Sequence, residues 1–358
     1  MDKKILLMYI SNISGHHSAT LAIEQAINTL NPKLNILNIN GFRYAYPIME
    51  KVINTIYMGV INKCPHIWDF LYDNPSVVNK INGIKEYINR KNRDKIDRLI
   101  RAENCRVVIC SQAFPCGMVA DYKKFYCSDL KLIAVITDFI PHSYWVYDEI
   151  DFYIVGSVEA KETLLNKGVR EEKIKLFGIP IDPKFSRELN KIIVADELKI
   201  NLDKPVVLIM GGSHGIGPIK NLASALDDSD INAKFLIVTG ANKKLFNWLK
   251  QKIFKKDIAI YGYTDSIDKL MTVADVLITK PGGITIAEAL AKNLPMLIIR
   301  PIPGQEQNNA NFLLKYGAAE KVENIRDTVG KLRLILNNKN ELNLIKKGCQ
   351  GWRSLYLQ

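Results

Sequence analysis

No stretch of this chain is apolar for the ~20 residues that a bilayer-crossing helix requires, so no membrane span is expected. Its start, "MDKKILLMYISN", lacks the apolar length and small-residue cleavage site of a secretory signal, which predicts a cytoplasmic protein. Cysteine is scarce: the six, at 64, 105, 110, 116, 127 and 349, form no CxxC pair and no His/Cys metal spacing. Reduced thiols are therefore expected rather than a disulfide framework or a zinc site. Repeats, low-complexity tracts and recognisable nucleic-acid-binding modules are also missing.

What the chain does have is positive charge, +12 from 49 basic and 37 acidic residues. That balance favours a polyanionic partner: nucleic acid, an anionic membrane or a phosphorylated substrate. With 358 residues and 47 % hydrophobic content, the chain can fill two cores.

Short apolar runs alternate with stretches of helical period. Strands are predicted at 4–10, 34–39, 106–110, 131–136, 151–155 and 174–177, then at 205–210, 234–239, 257–261, 275–278 and 295–299. This alternation is the signature of parallel α/β sheets, and two such sets predict two doubly wound, Rossmann-like domains. The break falls at "GIPIDPKF" (178–185), where two prolines and a glycine interrupt the pattern. We expect domains over 1–180 and 181–340, a closing helix over 341–358, and a helical insertion over about 47–104, where no strand is legible.

Three segments carry chemistry. In "VVLIMGGSHGIGPIKNLASAL" (206–226) a buried strand runs into Gly211, Gly212, Ser213, Gly215 and Gly217 and then into a helix, so backbone N–H groups can face a phosphate. It is not a Walker loop, because no Gly-Lys-Ser/Thr follows, and a tight turn explains the glycines equally well. In "ADVLITKPGGITIAEAL" (274–290) a second strand–loop–helix unit carries Gly282, Gly283, Thr285 and Glu288. The Glu288 carboxylate can accept two ribose hydroxyls, or serve only the helix dipole. "PGQEQNN" (303–309) collects Gln305, Glu306 and Asn309, suited to sugar hydroxyls or to an ordinary helix start.

In this order and at these strand ends, the segments resemble the donor domain of the two-domain GT-B glycosyltransferases. The group is the one holding monogalactosyldiacylglycerol synthase, the processive diacylglycerol glucosyltransferases and the lipid II-forming N-acetylglucosaminyltransferase. "SGHHSATLAIEQAI" (14–27), "FPCGMVADYKK" (114–124), "VITDFIPHSYW" (135–145) and "GIPIDPKF" extend the likeness over nearly the whole chain.

The resemblance implies two domains facing a cleft and transfer of a hexose from a UDP-sugar to diacylglycerol or a glycosyl-diacylglycerol. On the donor side, Gly211–Gly217 would face the diphosphate with Thr285, Glu288 the ribose, Gln305 and Glu306 the hexose, and Gly262 and Tyr263 the uracil; Asn309 matches a family asparagine. No cofactor and no metal are implied, since the family lacks a DxD site. On the acceptor side, His16 is the expected general base, beside Gly15, with a helix cap as its bland alternative; His17 is expected to face solvent. Asp138 is the second candidate base, and His142 and Trp145 stand near the acceptor, or Trp145 in the core. Two segments offer membrane attachment. One is the lysine-rich "NKKLFNWLKQKIFKK" (242–256), with six lysines and no acid; the other is the 47–104 region, with Ile56, Tyr57, Met58, Val60 and Ile61. Either is otherwise a helix with one buried stripe. The expected enzyme is thus peripheral on the inner face of the cell membrane, bound to an anionic surface and not to nucleic acid. The alternatives are transfer to a polyprenyl-diphosphate-linked sugar, UDP-sugar epimerisation on the same architecture, and nucleotide binding without catalysis.

Overall fold

Apolar, β-branched runs set the sheets, and the structure, a computed structural model, describes residues 4–46 and 75–356. It divides into two units, Met1–Asp182 with Ile302–Asn308, and Pro183–Pro301 with Asn309–Gln358. The first division, between Asp182 and Pro183, falls within "GIPIDPKF" (178–185). Ile302–Asn308 groups with the first unit, although it lies within the 181–340 span.

The first unit contains β1 (Lys4–Tyr9), α1 (Gly15–Leu30), β2 (Asn35–Asn40), α2 (Gly41–Ala45), α3 (Pro75–Ala102), β3 (Cys105–Cys110), α4 (Ala113–Tyr126), β4 (Lys131–Val135), β5 (Phe152–Val155), α5 (Val158–Asn166) and β6 (Ile174–Leu176). Its six strands are parallel in the order β2-β1-β3-β4-β5-β6. Since β2 is an edge strand and β3 lies beyond β1, the chain must cross the sheet between them, and α3 makes that crossing. Ile96, Leu99 and Ile100 of α3 are buried in the core with Met118, Val119 and Tyr122 of α4. Arg93 also grips Asp121 with two hydrogen bonds of 2.9 and 3.1 Å. From residue 75 onward the expected insertion is therefore a crossover element of the sheet. Its predicted first part over 47–74, with Ile56, Tyr57, Met58, Val60 and Ile61, lies outside the described residues.

The second unit contains α6 (Lys191–Glu197), β7 (Val206–Met210), α7 (Ile219–Asp227), β8 (Lys234–Val238), α8 (Lys243–Gln251), β9 (Ile258–Tyr261), α9 (Ile267–Val273), β10 (Val276–Thr279), α10 (Gly283–Ala291), β11 (Met296–Ile299), most of α11 (Gln305–Lys315), β12 (Ala319–Val322), α12 (Ile325–Asn337) and α13 (Lys339–Tyr356). The parallel order is β12-β11-β10-β7-β8-β9. The central strand β7, "VVLIM", is buried along its whole length, as expected of a parallel strand covered on both faces. The predicted closing helix is α13. It packs on α10, α12 and β12 as part of this unit rather than as a separate element.

The lysine-rich helix α8 is docked. Leu249 is fully buried, and Leu245, Trp248 and Phe254 pack against the second core. Lys220 and Lys252 stand over the Trp248 ring at 4.4 and 5.6 Å. The apolar stripe thus serves the domain, as in the alternative reading of this segment as a helix with one buried stripe, and Ile253, 94 % exposed, remains outside it.

Candidate active site

In an open parallel sheet, ligands bind beyond the carboxyl ends of strands, where neighbouring strands connect in opposite directions. In the first sheet this point lies between β1 and β3, and in the second between β7 and β10. Most of the predicted site residues follow these four strands.

At the first point, β1 leads through Ser11, held at φ +62°, to Ser14, the N-cap of α1. Ser14 Oγ accepts from the His17 backbone N–H at 3.2 Å, so the cap role is filled without a histidine. His16, one residue past Gly15, is thereby left for other contacts. Its Nδ1 lies 2.8 Å from the Ser111 carbonyl oxygen at the end of β3. Thr137 Oγ1, beyond β4, is 3.1 Å from the same nitrogen. The Ser111 hydroxyl in turn donates to the His16 carbonyl at 2.9 Å.

Desolvation holds the His16 imidazole below its ordinary pKa, partly offset by the Asp138 charge and by the Ser111 carbonyl. The ring is therefore neutral near pH 7, as a proton acceptor must be. Asp138 is buried, and its Oδ2 accepts from Gln305 Nε2 at 2.6 Å within the first unit. His17, expected to face solvent, is instead stacked on Tyr9, ring centroids 4.1 Å apart, with Nδ1 2.9 Å from the Asn12 carbonyl. Trp145 is 2 % exposed and belongs to the first core, the second of the two places expected for it. His142 stacks on it at 6.1 Å.

At the second point the glycine loop is folded tightly on itself. Gly215 N–H donates to Gly212 O at 3.0 Å and Ile216 N–H to Gly211 O at 2.9 Å. A side chain on Gly211 would collide with the Ile216 backbone, and one on Gly215 with the Thr239 carbonyl, so these two glycines are required by the fold. Gly217, at φ +123°, has open space where a Cβ would stand, as does Gly282 at the N-cap of α10. Ser213 O accepts from Ala241 N–H at 2.9 Å.

Because β7 and β10 are neighbours, their two loops meet, and the Lys280 stem lies beside Gly212, Cε 3.4 Å from where a Cβ would be. Gly217 and Gly282, the Lys280 ammonium and the N-terminus of α10 are group types suited to a diphosphate. Glycine at the N-cap brings no side chain to α10, whose first turn includes Gly283 and Thr285. Glu288, half-buried, lies further along the same helix. Asn309 is fully buried and donates Nδ2 to the Pro281 carbonyl at 3.2 Å, tying α11 to this loop. Glu306, also buried, turns Oε2 to the Ile302 N–H at 3.0 Å, so this carboxylate oxygen holds its own loop. Gly262 and Tyr263 follow β9, and the Tyr263 ring is 66 % exposed.

Residues 16–181 match the family model of monogalactosyldiacylglycerol synthase, and residues 206–343 that of the glycosyltransferase family 28 C-terminal domain. The chain is a glycosyltransferase, with two parts similar to these two families. This transferase is 29 % identical over 353 residues to a Bacillus licheniformis protein named processive diacylglycerol beta-glucosyltransferase, covering 98 % of this chain and 91 % of that one. Its fold is similar to that of Acinetobacter baumannii MurG, with a TM-score of 0.60, 13 % identity, and coverage of 97 % and 95 % of the two chains. It is similar too to S. aureus MnaA in a co-structure with UDP, with a TM-score of 0.62, 14 % identity, and coverage of 97 % and 91 %. The architecture is GT-B, two Rossmann-like domains. Sequence reasoning missed three residues at these strand ends: Ser111 and Thr137 beside His16, and Lys280 beside Gly212. Lys280 was legible in principle, as the cation directly after the second strand of a switch point.

Proposed function

We propose that this enzyme transfers a hexose from a UDP-sugar to diacylglycerol or a glycosyl-diacylglycerol, with inversion at the anomeric carbon. The observation that carries the reading is the neutral, fixed His16 at the strand ends of a first unit similar to the synthase model; the second unit, similar to the family 28 model, brings the glycine loop and Lys280. His16 Nε2 takes the proton from the acceptor hydroxyl, the acceptor oxygen forms a bond to the anomeric carbon, and the bond to UDP breaks with its electron pair leaving on the diphosphate. The departing charge is met by the backbone N–H groups of the glycine loop, the N-terminus of α10 and Lys280, with no metal ion taking part. Glu288 holds the ribose, and Gln305 and Glu306 orient the hexose.

The acceptor is a membrane lipid, so we infer peripheral action at the inner face of the cell membrane, aided by the +12 charge at an anionic surface. Among the described residues no helix is long and apolar enough to cross a membrane. The test supplies radiolabelled UDP-glucose, UDP-galactose or UDP-N-acetylglucosamine with purified diacylglycerol, with a polyprenyl-diphosphate-linked sugar, or with no lipid. Label is expected in the organic phase only with diacylglycerol. Label only with the polyprenyl acceptor, or conversion of the UDP-sugar without lipid, would replace this reading with one of the two alternatives.

A further inference from the structure

Three neighbouring strands, β1, β3 and β4, end side by side in the first sheet; the first leads to His16, and the other two each deliver one partner to its imidazole. His16 arrives on the first turn of α1, Ser111 directly after β3, and Thr137 two residues after β4. Both Ser111 and Thr137 are buried. The Ser111 carbonyl oxygen, 2.8 Å from His16 Nδ1, can only accept. Nδ1 must then carry the proton, which leaves Nε2 with the lone pair. Thr137 Oγ1, 3.1 Å from the same nitrogen, accepts from it as a second partner.

We propose that Thr137 is a positioning residue for His16: its hydroxyl shares the Nδ1 proton with the Ser111 carbonyl, fixing the ring plane and strengthening the base at Nε2. The inference rests on the reading of His16 as the base. When Nε2 gains a proton, the Nδ1–H becomes part of a cation, and both of its acceptors hold it more strongly. Removing the Thr137 hydroxyl therefore weakens the base. The charged group facing the ring is Asp138, on the loop after β4. On α1 the neighbouring His17 turns its Nδ1 to the Asn12 carbonyl. Beyond Ser111, the first turn of α4 carries no acidic residue.

The test compares wild type with Thr137→Val and Thr137→Ser by kcat and KM across pH, by NMR titration of the His16 ring, and by thermal melting. For Thr137→Val we expect kcat to fall about tenfold or more, with KM for the UDP-sugar unchanged. The acid limb of kcat and the His16 titration should both move about half a unit to one unit lower. Thr137→Ser should restore both. A Thr137→Val enzyme that melts lower but keeps its acid limb and its His16 titration would overturn the proposal and leave a packing role. If the His16 titration moves while the acid limb does not follow, the clamp stands and the assignment of His16 as the base fails.

Discussion

Asn309 donates its side-chain amide to the Pro281 carbonyl across 3.2 Å, joining the start of α11 to the loop after β10. Both partners are buried. A carbonyl left without this donor costs about 1–3 kcal/mol. Asn309→Ala should therefore lower the stability of the ligand-free enzyme by that amount, read in a denaturant melt, and, on the proposed reading of this loop as a diphosphate contact, weaken UDP binding because the loop is no longer pinned. An Asn309→Ala enzyme of unchanged stability would return this residue to a purely ligand-binding role.

The glycines of the second unit divide into two kinds, and substitution separates them. At Gly215, φ +57° and the Thr239 carbonyl both oppose a side chain, so Gly215→Ala should destabilise the fold by several kcal/mol, about 1–3 from the backbone conformation alone. Gly282 has φ −70° and open space around a Cβ. Gly282→Ala should melt within about 0.5 kcal/mol of wild type yet bind UDP about tenfold more weakly, a loss of about 1.4 kcal/mol, because the methyl group stands where the diphosphate approaches. Equal UDP affinity by calorimetry would move the diphosphate elsewhere.

Glu288 tests the ribose contact. Charge-assisted hydrogen bonds are worth about 1.5–3 kcal/mol, so Glu288→Ala should weaken UDP binding about tenfold or more without unfolding the protein. Calorimetric titrations that give equal affinities for two folded forms would leave Glu288 as a helix acid and nothing else.

The docked face of α8 makes a prediction opposite to that of a lipid-binding helix. Leu249 is fully buried, so Leu249→Ala should cost about 2–5 kcal/mol of stability. Substituting Lys243, Lys244, Lys250 and Lys256 together with Gln should leave melting nearly unchanged but reduce flotation with anionic vesicles. That binding should also weaken in 1 M salt, where the Debye length is about 3 Å. Flotation indifferent to lipid charge and to salt would separate the +12 from the membrane.

Much of this was legible along the chain because parallel strands are read locally. Most of the twelve strands are runs of Ile, Leu, Val and neighbouring apolar residues, which stand out from the helices between them. The twelfth, Ala319–Val322, is "AEKV", and its charged middle gives no such signal; its register beside β11 defines it. Helix α3 was read as an insertion because nothing in its own residues says that β2 and β3 lie on opposite sides of β1. The site divides in the same way. His16, the glycine loop and Glu288 announce themselves in short segments. Ser111 and Thr137 reach His16 from 95 and 121 residues away, so only the strand order reveals them. The docked face of α8 was hidden for the same reason, since its partners come from other elements, β9 and, through Lys220 over Trp248, α7.

The central claim is that His16 is the base. The direct measurement is the pH dependence of kcat for wild type and His16→Ala, with UDP affinity measured in parallel. Desolvation lowers the His16 pKa, so the neutral, active imidazole persists until the pH drops through that lowered value. Wild-type kcat should thus fall on the acid side with a midpoint below the ordinary histidine value of about 6.5. His16→Ala should lose that limb and about 10²–10⁴-fold in kcat, with UDP affinity unchanged. A His16→Ala enzyme with near-normal kcat and the limb intact, alongside an inactive Asp138→Asn, would contradict the account and make Asp138 the base.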